Sequence, residues 1–306
     1  MNRTLSLSTM WAQQERFERD MAYFVDIARS SGFDAIEVSH ATPEAPFESL
    51  LRTPNVRLSS IHAPAPLVVD GDGRRNSSLN LASLDEEERE LALAHARRSV
   101  DLAAEAGAKY VVVHLGGVGG EMFEEERRLR RLYDSGVRDG DEVAALRRRC
   151  FELRAEMAAR YLEQARRTLD ALVTYANARG IVIGLENRLH YHEIPQVDEV
   201  GELLAPYPRD AAGYWHDVGH AEVQSRLGLV DARAWLRQHA ARVIGAHLHD
   251  VDGLADHRAP GRGTVDWSYI AEGLPPDALR VFEIDQRQPE ESLAASIPYL
   301  RERDVV

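Results

Sequence analysis

Eight short apolar segments separated almost everywhere by longer amphipathic ones constrain the fold of this chain most strongly. The apolar segments predict strands at 5–9, 35–38, 56–61, 110–113, 181–185, 213–216, 243–248 and 279–282. Strands that alternate with helices are typical of parallel crossover units. Runs such as Val111-Val112-Val113 are apolar throughout, as expected of strands covered on both faces. Eight such units predict an α/β fold, a closed (β/α)₈ barrel.

The amphipathic segments carry helix start and stop signals. Segment 84–106 follows Ser83, with Glu86 three residues further on, and ends before Gly107. This pattern predicts a helix opened by a capping box and closed by a glycine. Segment 13–31 has helical spacing over its whole length and predicts one continuous helix.

Length and spacing favour one domain over residues 1–306. A chain of 306 residues is long enough for one large barrel, and it contains no internal repeat or Pro/Gly/Ser-rich linker. The stretch 117–149, after the fourth predicted strand, is longer than a crossover requires. We predict that it is a helical insertion, placed over the top of the barrel or at a contact between subunits.

Composition excludes several classes of protein. The formal net charge is -13, which makes nucleic acid an unlikely partner. Cys150 is the single cysteine, so neither a disulfide framework within the chain nor a cysteine metal cluster is expected. Residues 1–10 lack a signal-peptide pattern, and no apolar run reaches the length of a membrane span. These features predict a cytoplasmic protein with no membrane partner.

Ionisable residues stand at nearly every predicted strand end. Seven of the eight ends carry a carboxylate or an imidazole: Glu37, His62, His114, Glu186, Asp217, His247 and Glu283. Four more follow closely behind: His220, His249, Asp250 and His257. The carboxyl ends of barrel strands converge on one face, and groups of this kind are costly to bury unless they pair or bind a metal. The sequence therefore predicts a metal site at this rim.

The donor types favour Zn²⁺, Mn²⁺, Fe²⁺ or Co²⁺ over Ca²⁺ or a metal that prefers thiolates. Each residue alone has a structural alternative. Glu37 could bridge interior side chains, His62 could occupy a turn, and His114 could cap a loop. The glycines of the PGRG segment at 260–263 could cradle a phosphate or only form a tight turn.

Seven short motifs in chain order resemble one family across nearly the whole chain. They are HAP (62–64), VVVHLGG (111–117), GLENR (184–188), DVGH (217–220), AHLHD (246–250), DHRAPGRG (256–263) and FE (282–283). Together they resemble the xylose isomerase-like TIM-barrel superfamily. That superfamily includes sugar phosphate isomerases and epimerases, inosose dehydratases and isomerases, and endonuclease IV.

The resemblance to the ketose epimerase branch implies a ligand set. In that branch a Glu, an Asp, a His and a Glu after strands five to eight hold the metal, and they match Glu186, Asp217, His247 and Glu283. The two glutamates also move the substrate proton, which makes Glu186 and Glu283 the implied catalytic residues. His249 is a rival to His247, which is preferred because Asp250 follows it at the spacing of the family.

The endonuclease IV branch implies further metal ligands. That branch uses the same four positions plus histidines that match His62, His114, His220 and His257. This chain departs from the pattern at the third-site aspartate, where Ala255 stands and Asp256 is the next residue. The implied metal count is one, with up to three if the additional histidines also bind.

The leading hypothesis is a metal-dependent isomerase or epimerase that acts on a sugar, an inosose or a related polyhydroxy carbonyl compound. The metal would stabilise an enediolate, and Glu186 and Glu283 would transfer the proton. Arg188 and His249, together with His220 and His257, are candidates to bind substrate hydroxyls. Barrels of this type often pair, so a homo-oligomer is also considered.

Three alternatives remain. A phosphodiester hydrolase like endonuclease IV is favoured by the additional histidines. A sugar or inosose dehydratase would share the enolate step. A non-catalytic metal barrel would bind a partner through 117–149. The substrate is not specified by the sequence, because Arg74, Arg75 and Arg262 could meet a phosphate or could be surface charges.

Overall fold

The computed structural model describes residues 3–306, and they form a closed parallel barrel of eight strands. The barrel strands are β1 (Leu5–Ser8), β2 (Ala35–Val38), β3 (Leu58–Ala63), β4 (Tyr110–Val113), β5 (Val182–Glu186), β6 (Ala212–Asp217), β7 (Val243–Leu248) and β10 (Leu279–Phe282). Each strand pairs with its neighbour in chain order, and β10 closes the barrel against β1. Two short strands, β8 (Asp250–Asp252) and β9 (Ala255–Arg258), form an antiparallel hairpin after β7. The predicted (β/α)₈ barrel is confirmed.

Helices connect the strands and cover the outside of the barrel. They are α1 (Met21–Ser30), α2 (Glu44–Arg52), α3 (Glu86–Ala106), α4 (Glu124–Asp134), α5 (Asp141–Asn177), α6 (Val197–Leu204), α7 (Val218–Arg226), α8 (Ala232–His239), α9 (Trp267–Gly273) and α10 (Glu290–Arg301). Their buried faces form the main hydrophobic core against the strands. Among residues 3–306, none of the helices is both long and apolar enough to cross a membrane.

A second, smaller apolar cluster fills the barrel floor. It contains Val112, Val182, Trp215, Ile244 and Val281. Trp215 is fully buried, and glycines lie beside it in the neighbouring strands. A Cβ atom at Gly184 would lie 2.8 Å from the Trp215 ring, and one at Gly245 would lie 2.3 Å from it. Glycine at both positions therefore makes room for the indole.

Two helix starts differ from the sequence-based expectation. Helix α3 begins at Glu86 with Asp85 as its N-cap, because the Asp85 side chain accepts a hydrogen bond from the backbone N–H of Glu87. The predicted capping box at Ser83 is wrong, since the Ser83 hydroxyl donates instead to Glu88. The predicted helix over 13–31 is also interrupted. Helix α1 begins only at Met21, after a 3₁₀ turn at Glu15–Phe17.

Helical structure follows β4 over most of 117–149. It consists of α4 and the beginning of α5, and α5 continues without a break to Asn177 as the crossover helix that leads to β5. Arg147 of α5 donates a hydrogen bond to the carbonyl of Leu227, 2.8 Å away at the end of α7. The first turns of α5 thus contact the segment that follows β6.

Candidate metal centre

Every second residue of a barrel strand points into the barrel. Along each strand these inward-facing side chains change from apolar at the floor to polar at the carboxyl ends, which form the mouth of the barrel. In β5 the residues on this inward face are Val182, Gly184 and Glu186, in order from the floor to the mouth. From Trp215 in β6 the next position on the same face is Asp217. Since every second residue of a strand faces the same way, the carboxylates lie directly above the floor.

Four of these side chains meet at one point. One ligand atom each from Glu186, Asp217, His247 and Glu283 lies within 4.8 Å of all the others, and all four residues are buried. Nδ1 of His247 is 2.8 Å from Oε1 of Glu186 and 3.1 Å from Oε2 of Glu283. The structure thus brings together the four residues named as principal ligands.

The chemistry of this group fits a divalent cation. Among the described residues, Oε2 of Glu186 and Oε1 of Glu283 are buried and accept no well-formed hydrogen bond, although Nε2 of His114 lies 2.7 Å from the first and Nδ1 of His62 lies 3.7 Å from the second. Burial alone would raise the carboxyl pKa values. The neighbouring histidines outweigh burial and hold the pKa values of Glu186, Asp217 and Glu283 well below their usual range. Three ionised carboxylates around one imidazole form a donor set suited to Zn²⁺ or a similar ion.

Glu37 fixes the orientation of His247. Nε2 of His247 lies 2.9 Å from Oε1 of Glu37, whose other oxygen accepts a 2.6 Å hydrogen bond from Ser60. Burial lowers the pKa of His247, but the surrounding carboxylates, Glu283 first, outweigh burial and raise it well above 6.5, so both ring nitrogens carry protons in the absence of a cation. A metal would replace the Nδ1 proton, and the hydrogen bond from Nε2 to Glu37 would then keep Nδ1 directed at the metal. Glu37 therefore bridges interior side chains, as in its structural alternative, and it also orients a candidate ligand.

His249 has a different role from His247. Its Nδ1 accepts a 2.8 Å hydrogen bond from the backbone N–H of His257. Its Nε2 must then carry the proton, and it lies 3.0 Å from Oδ1 of Asp217. This hydrogen bond orients the Asp217 carboxylate and leaves His249 without a free nitrogen lone pair. The geometry thus favours His247 over His249 as the ligand.

Three histidines form a second group beside Glu186. Nε2 of His114 lies 2.7 Å from Oε2 of Glu186, and Nε2 of His62 lies 3.2 Å from the same oxygen. Burial lowers the pKa of His62, but Glu186 outweighs this and raises it to about 9. His40, which the sequence analysis missed, offers a ring nitrogen within 4.8 Å of both other histidines. Burial, followed by the charge of His62, lowers the pKa of His40 to about 3. Its position three residues after Glu37, just beyond β2, was the available signal.

A third group joins His220 of α7 to two residues of β9. Ligand atoms of His220, Asp256 and His257 lie within 4.8 Å of one another. Nδ1 of His220 donates to the carbonyl of Asn187, 3.0 Å away, so the Nε2 lone pair is free and lies 4.0 Å from Oδ2 of Asp256. His257 has a left-handed backbone, with φ of 54°. Although Ala255 stands at the expected aspartate position, the Asp256 carboxylate reaches both histidines.

Arg188 extends into the mouth and is anchored by Glu193. Nε and Nη2 of Arg188 donate to Oε1 of Glu193 at 3.1 and 2.9 Å, and Nη1 contacts His114 and lies 3.6 Å from Oε2 of Glu186. The other Glu193 oxygen accepts a 2.8 Å hydrogen bond from the backbone N–H of His190. Among the described residues, the guanidinium at the mouth therefore already has a carboxylate partner.

The helices after β4 hold the loop that contains Glu193. Glu126 of α4 is buried, and its Oε1 contacts Nδ1 of His190 at 3.0 Å while its Oε2 accepts from the Tyr191 N–H at 2.9 Å. Arg154 of α5 donates to both oxygens of Glu199 at 2.5 and 2.8 Å and to two loop carbonyls. These buried contacts join α4 and α5 to the candidate site.

The glycine-rich turn at 260–263 encloses a protein carboxylate. Asp250 accepts 2.9 Å hydrogen bonds from the backbone N–H groups of Gly261 and Val265. A Cβ at Gly263 would lie 2.5 Å from the Asp250 carboxylate. The Gly261 amide of this segment and the Val265 amide just beyond it are therefore engaged by Asp250, which favours a tight turn over a phosphate cradle.

Comparison with known proteins assigns the fold to a family. The sequence model described as xylose isomerase-like TIM barrel matches residues 25–303. The chain belongs to this xylose isomerase-like TIM-barrel family. Among curated proteins, no sequence matches significantly.

Solved structures show the same fold at low sequence identity. A D-tagatose 3-epimerase-like protein has a TM-score of 0.67 at 18% identity, with 98% of this chain and 96% of that chain covered. The 3-keto-D-glucoside 4-epimerase YcjR from E. coli has a TM-score of 0.64 at 17% identity, with coverages of 98% and 100%. The IolI protein with a bound zinc atom has a TM-score of 0.66 at 13% identity, with both coverages 98%.

The structure of this xylose isomerase-like barrel places most residues selected from the sequence around one mouth. His62, His114, His220 and His257 surround the central four, and Arg188 lies at the His114 side. His216 points elsewhere: its Nδ1 contacts the Tyr214 hydroxyl at 2.8 Å, and burial lowers its pKa to about 4. His190 and His192 lie in the loop held by α4 rather than among the ligands.

Proposed function

We propose that this protein is a divalent-metal-dependent isomerase or epimerase of a polyhydroxy carbonyl compound such as a sugar or inosose. The observation that carries the proposal is the convergence of Glu186, Asp217, His247 and Glu283, with a buried oxygen on each glutamate that accepts no well-formed hydrogen bond. A metal held by these four residues, Zn, Mn, Co or Fe, would supply Lewis-acid polarisation of the substrate carbonyl. Membership of a family in which the similar structures include sugar epimerases supports this choice of chemistry.

The protein residues would carry the proton. Glu186 and Glu283 approach the centre from β5 and from the end of β10, and both have pKa values well below the usual range, so each is ionised and able to accept a proton. One would take the proton alpha to the carbonyl, and the other would return it at the neighbouring carbon or on the opposite face. The free Nε2 of His220 and the guanidinium of Arg188 would bind substrate hydroxyls.

We further propose that the substrate is not phosphorylated. Most cations that could meet a phosphate already have protein partners: Arg188 with Glu193, Arg74 with Glu88, and Arg262 with the Ser292 hydroxyl. Arg75 is exposed and forms no ion pair among the described residues. The Gly261 amide of the glycine-rich turn and the Val265 amide just beyond it bind Asp250. A phosphate at the mouth would therefore have to displace existing contacts, whereas uncharged hydroxyls need only the free lone pairs and N–H groups.

Solvent deuterium exchange tests this function. Metal-loaded enzyme in D₂O is incubated with a panel of free ketoses and inososes and with their phosphates, and NMR locates any new C–D bond. We expect deuterium exchange at one carbon of an unphosphorylated compound. In Glu283→Gln at full metal loading, the exchange rate should fall about a hundredfold or more. A silent panel would reject the isomerase proposal, and exchange only with phosphates would reject the uncharged substrate. Loss of water from the product, seen by mass, would indicate a dehydratase instead.

A phosphodiester hydrolase is the second candidate because the histidine groups extend the site on both sides. His62 with His114, and His220 with Asp256 and His257, could each hold a further ion beside the central four. Elemental analysis showing two or three zinc ions per chain, together with chelator-sensitive incision of abasic-site DNA, would favour this candidate. The net charge of -13 opposes it, because DNA binding needs a basic surface.

The remaining features stay predictions from the sequence. They are a cytoplasmic location, pairing of subunits, and the extent of a single domain with an insertion at about 117–149. A non-catalytic barrel would be favoured only by an intact metal site, a silent substrate panel and a specific protein bound through that insertion.

A further inference from the structure

The face of the barrel opposite the candidate metal centre has an unusual concentration of positive charge. Arg57 and Lys109 immediately precede β3 and β4, and Arg3 lies two residues before β1. Lys109 is the only lysine in the chain. Because the barrel strands are parallel, their first residues meet on one face. Three cations from separate strands therefore converge in a protein whose net charge is -13.

These residues surround a hollow, which we call the basal hollow. It has a volume of about 390 Å³ and is lined by Arg3, Arg57 and Lys109, with apolar wall contributed by Tyr110 and Leu279. Strands β3 and β4 hold two of the cations side by side, since the Lys109 N–H donates to the carbonyl of Ser59 at 3.3 Å. Cavities of this size accommodate small molecules.

The cations of the basal hollow have few protein partners. Within residues 3–306, the side chains of Arg57 and Lys109 form neither a salt bridge nor a hydrogen bond, and Arg3 donates only to the carbonyl of Val305 at 3.2 Å. Asp277 is the carboxylate in the lining, and it is engaged by Arg209 through contacts of 2.7 and 3.1 Å. The side-chain donors of Arg57 and Lys109 are thus free to contact a ligand, with the Lys109 ammonium 5.0 Å from the centre of the Tyr110 ring, and Arg3 keeps donors beyond the one that binds Val305.

A neighbouring buried guanidinium is consistent with local positive potential. Arg280, next to the first residue of β10, donates to the carbonyls of Pro275 and Val305. Burial, followed by the charge of Arg3, lowers its pKa to about 10. Asp34, just before β2, accepts the Leu5 N–H through Oδ2 and lines an adjacent depression that Arg57 also borders.

We propose that the basal hollow binds a small polyanion, a phosphorylated metabolite with at least two phosphate groups. Arg57 and Lys109 bind its phosphates and Arg3 closes the site, while Tyr110 supports the non-phosphate part. Cationic side chains whose donors are free gain charge-assisted hydrogen bonds from phosphate oxygens. The site is separate from the metal centre, and its existence does not depend on the proposed reaction.

Calorimetric titration with inorganic pyrophosphate tests the site. Wild-type protein is expected to bind one equivalent with an affinity that falls as salt rises, and the double variant Arg57→Ala/Lys109→Ala should bind at least about tenfold more weakly. The matched control is Arg148→Ala/Arg160→Ala, which removes two exposed arginines of α5 that lack ion pairs among the described residues. This control should bind like the wild type.

A charge-conserving variant distinguishes weaker binding caused by lost charge from weaker binding caused by unfolding. Arg57→Lys/Lys109→Arg should retain binding, because both charges remain at the hollow. Absence of binding to the wild type would overturn the proposal. So would undiminished binding to Arg57→Ala/Lys109→Ala, which would place pyrophosphate at the metal centre, or equal weakening in the α5 control, which would indicate a general charge effect.

Discussion

Glu37 and His247 are joined through Oε1 and Nε2 at 2.9 Å, 210 residues apart in the chain. This contact directs Nδ1 of the same imidazole at Glu186, 2.8 Å away. A carboxylate behind a ligating histidine fixes the tautomer and increases the basicity of the ligand. The pair therefore connects a residue outside the proposed ligand set to the affinity of the metal centre.

Replacing Glu37 should weaken metal binding without removing a ligand. We expect Glu37→Gln to lower zinc affinity about tenfold to a hundredfold, and His247→Ala to lower it further. Competition with a chromophoric chelator measures both. Glu105→Gln, an exposed carboxylate of α3, is the control and should match the wild type. If Glu37→Gln binds zinc as tightly as the wild type, Glu37 does not act through His247.

The Glu193 carboxylate should position Arg188 for substrate. With Glu193→Gln we expect KM to rise several-fold while kcat and metal content change little, because the guanidinium loses its charged anchor but the ligands stay in place. Steady-state kinetics on whichever substrate the exchange panel identifies, with elemental analysis, separates these quantities. The matched control is Glu202→Gln, which removes the carboxylate of the exposed pair with Arg166. A fall in kcat alone would contradict the positioning role.

Glu126 should make stability depend on acid pH. Burial raises its pKa, but His190 and Arg130 outweigh burial and hold the pKa below the usual 4.5. A depressed folded-state pKa contributes stability that is fully present above 4.5 and is lost as pH falls through the folded-state value. The Tm difference between wild type and Glu126→Gln should therefore be constant from pH 7 to about 5 and shrink below 4.5. Glu125→Gln serves as the control, since Glu125 forms no ion pair among the described residues.

The barrel floor should not tolerate a methyl group beside Trp215. Gly245→Ala places a Cβ 2.3 Å from the indole, so either the ring or β7 must move. We expect a loss of about 1–3 kcal/mol in the free energy of unfolding, typical of an overpacked core. Gly71→Ala is the control, because a Cβ there meets no atom within 4 Å. Denaturant unfolding measures both, and equal stability of the two variants would show that the floor relaxes without cost.

Strand positions and the residues at their ends could be read from the sequence because they depend on local periodicity. Apolar runs of four to six residues marked each barrel strand to within about two residues at its ends. In a parallel barrel all strands point the same way, so residues such as Glu186, Asp217 and Glu283 had to converge once the strand ends were located.

Residues in the loops could not be placed in this way. His40 reaches His62 and His114 only through the path of the chain after β2, and Asp256 reaches His220 through a hairpin and the left-handed backbone at His257. The spacing of the endonuclease IV branch predicts an aspartate at position 255. It does not predict that the carboxylate of the next residue, Asp256, reaches the same histidines. Loop conformation depends on contacts between distant segments, and no repeating pattern encodes it.

The sequence by itself determined the barrel, the face on which ionisable residues gather and the types of donor present. The tertiary structure alone decided how each donor is used: His249 orients Asp217, Asp250 fills the glycine-rich turn, and Glu193 anchors Arg188. The physical reason is that a hydrogen bond has direction. Which lone pair remains free depends on partners that lie far away in sequence and become neighbours only when the barrel closes.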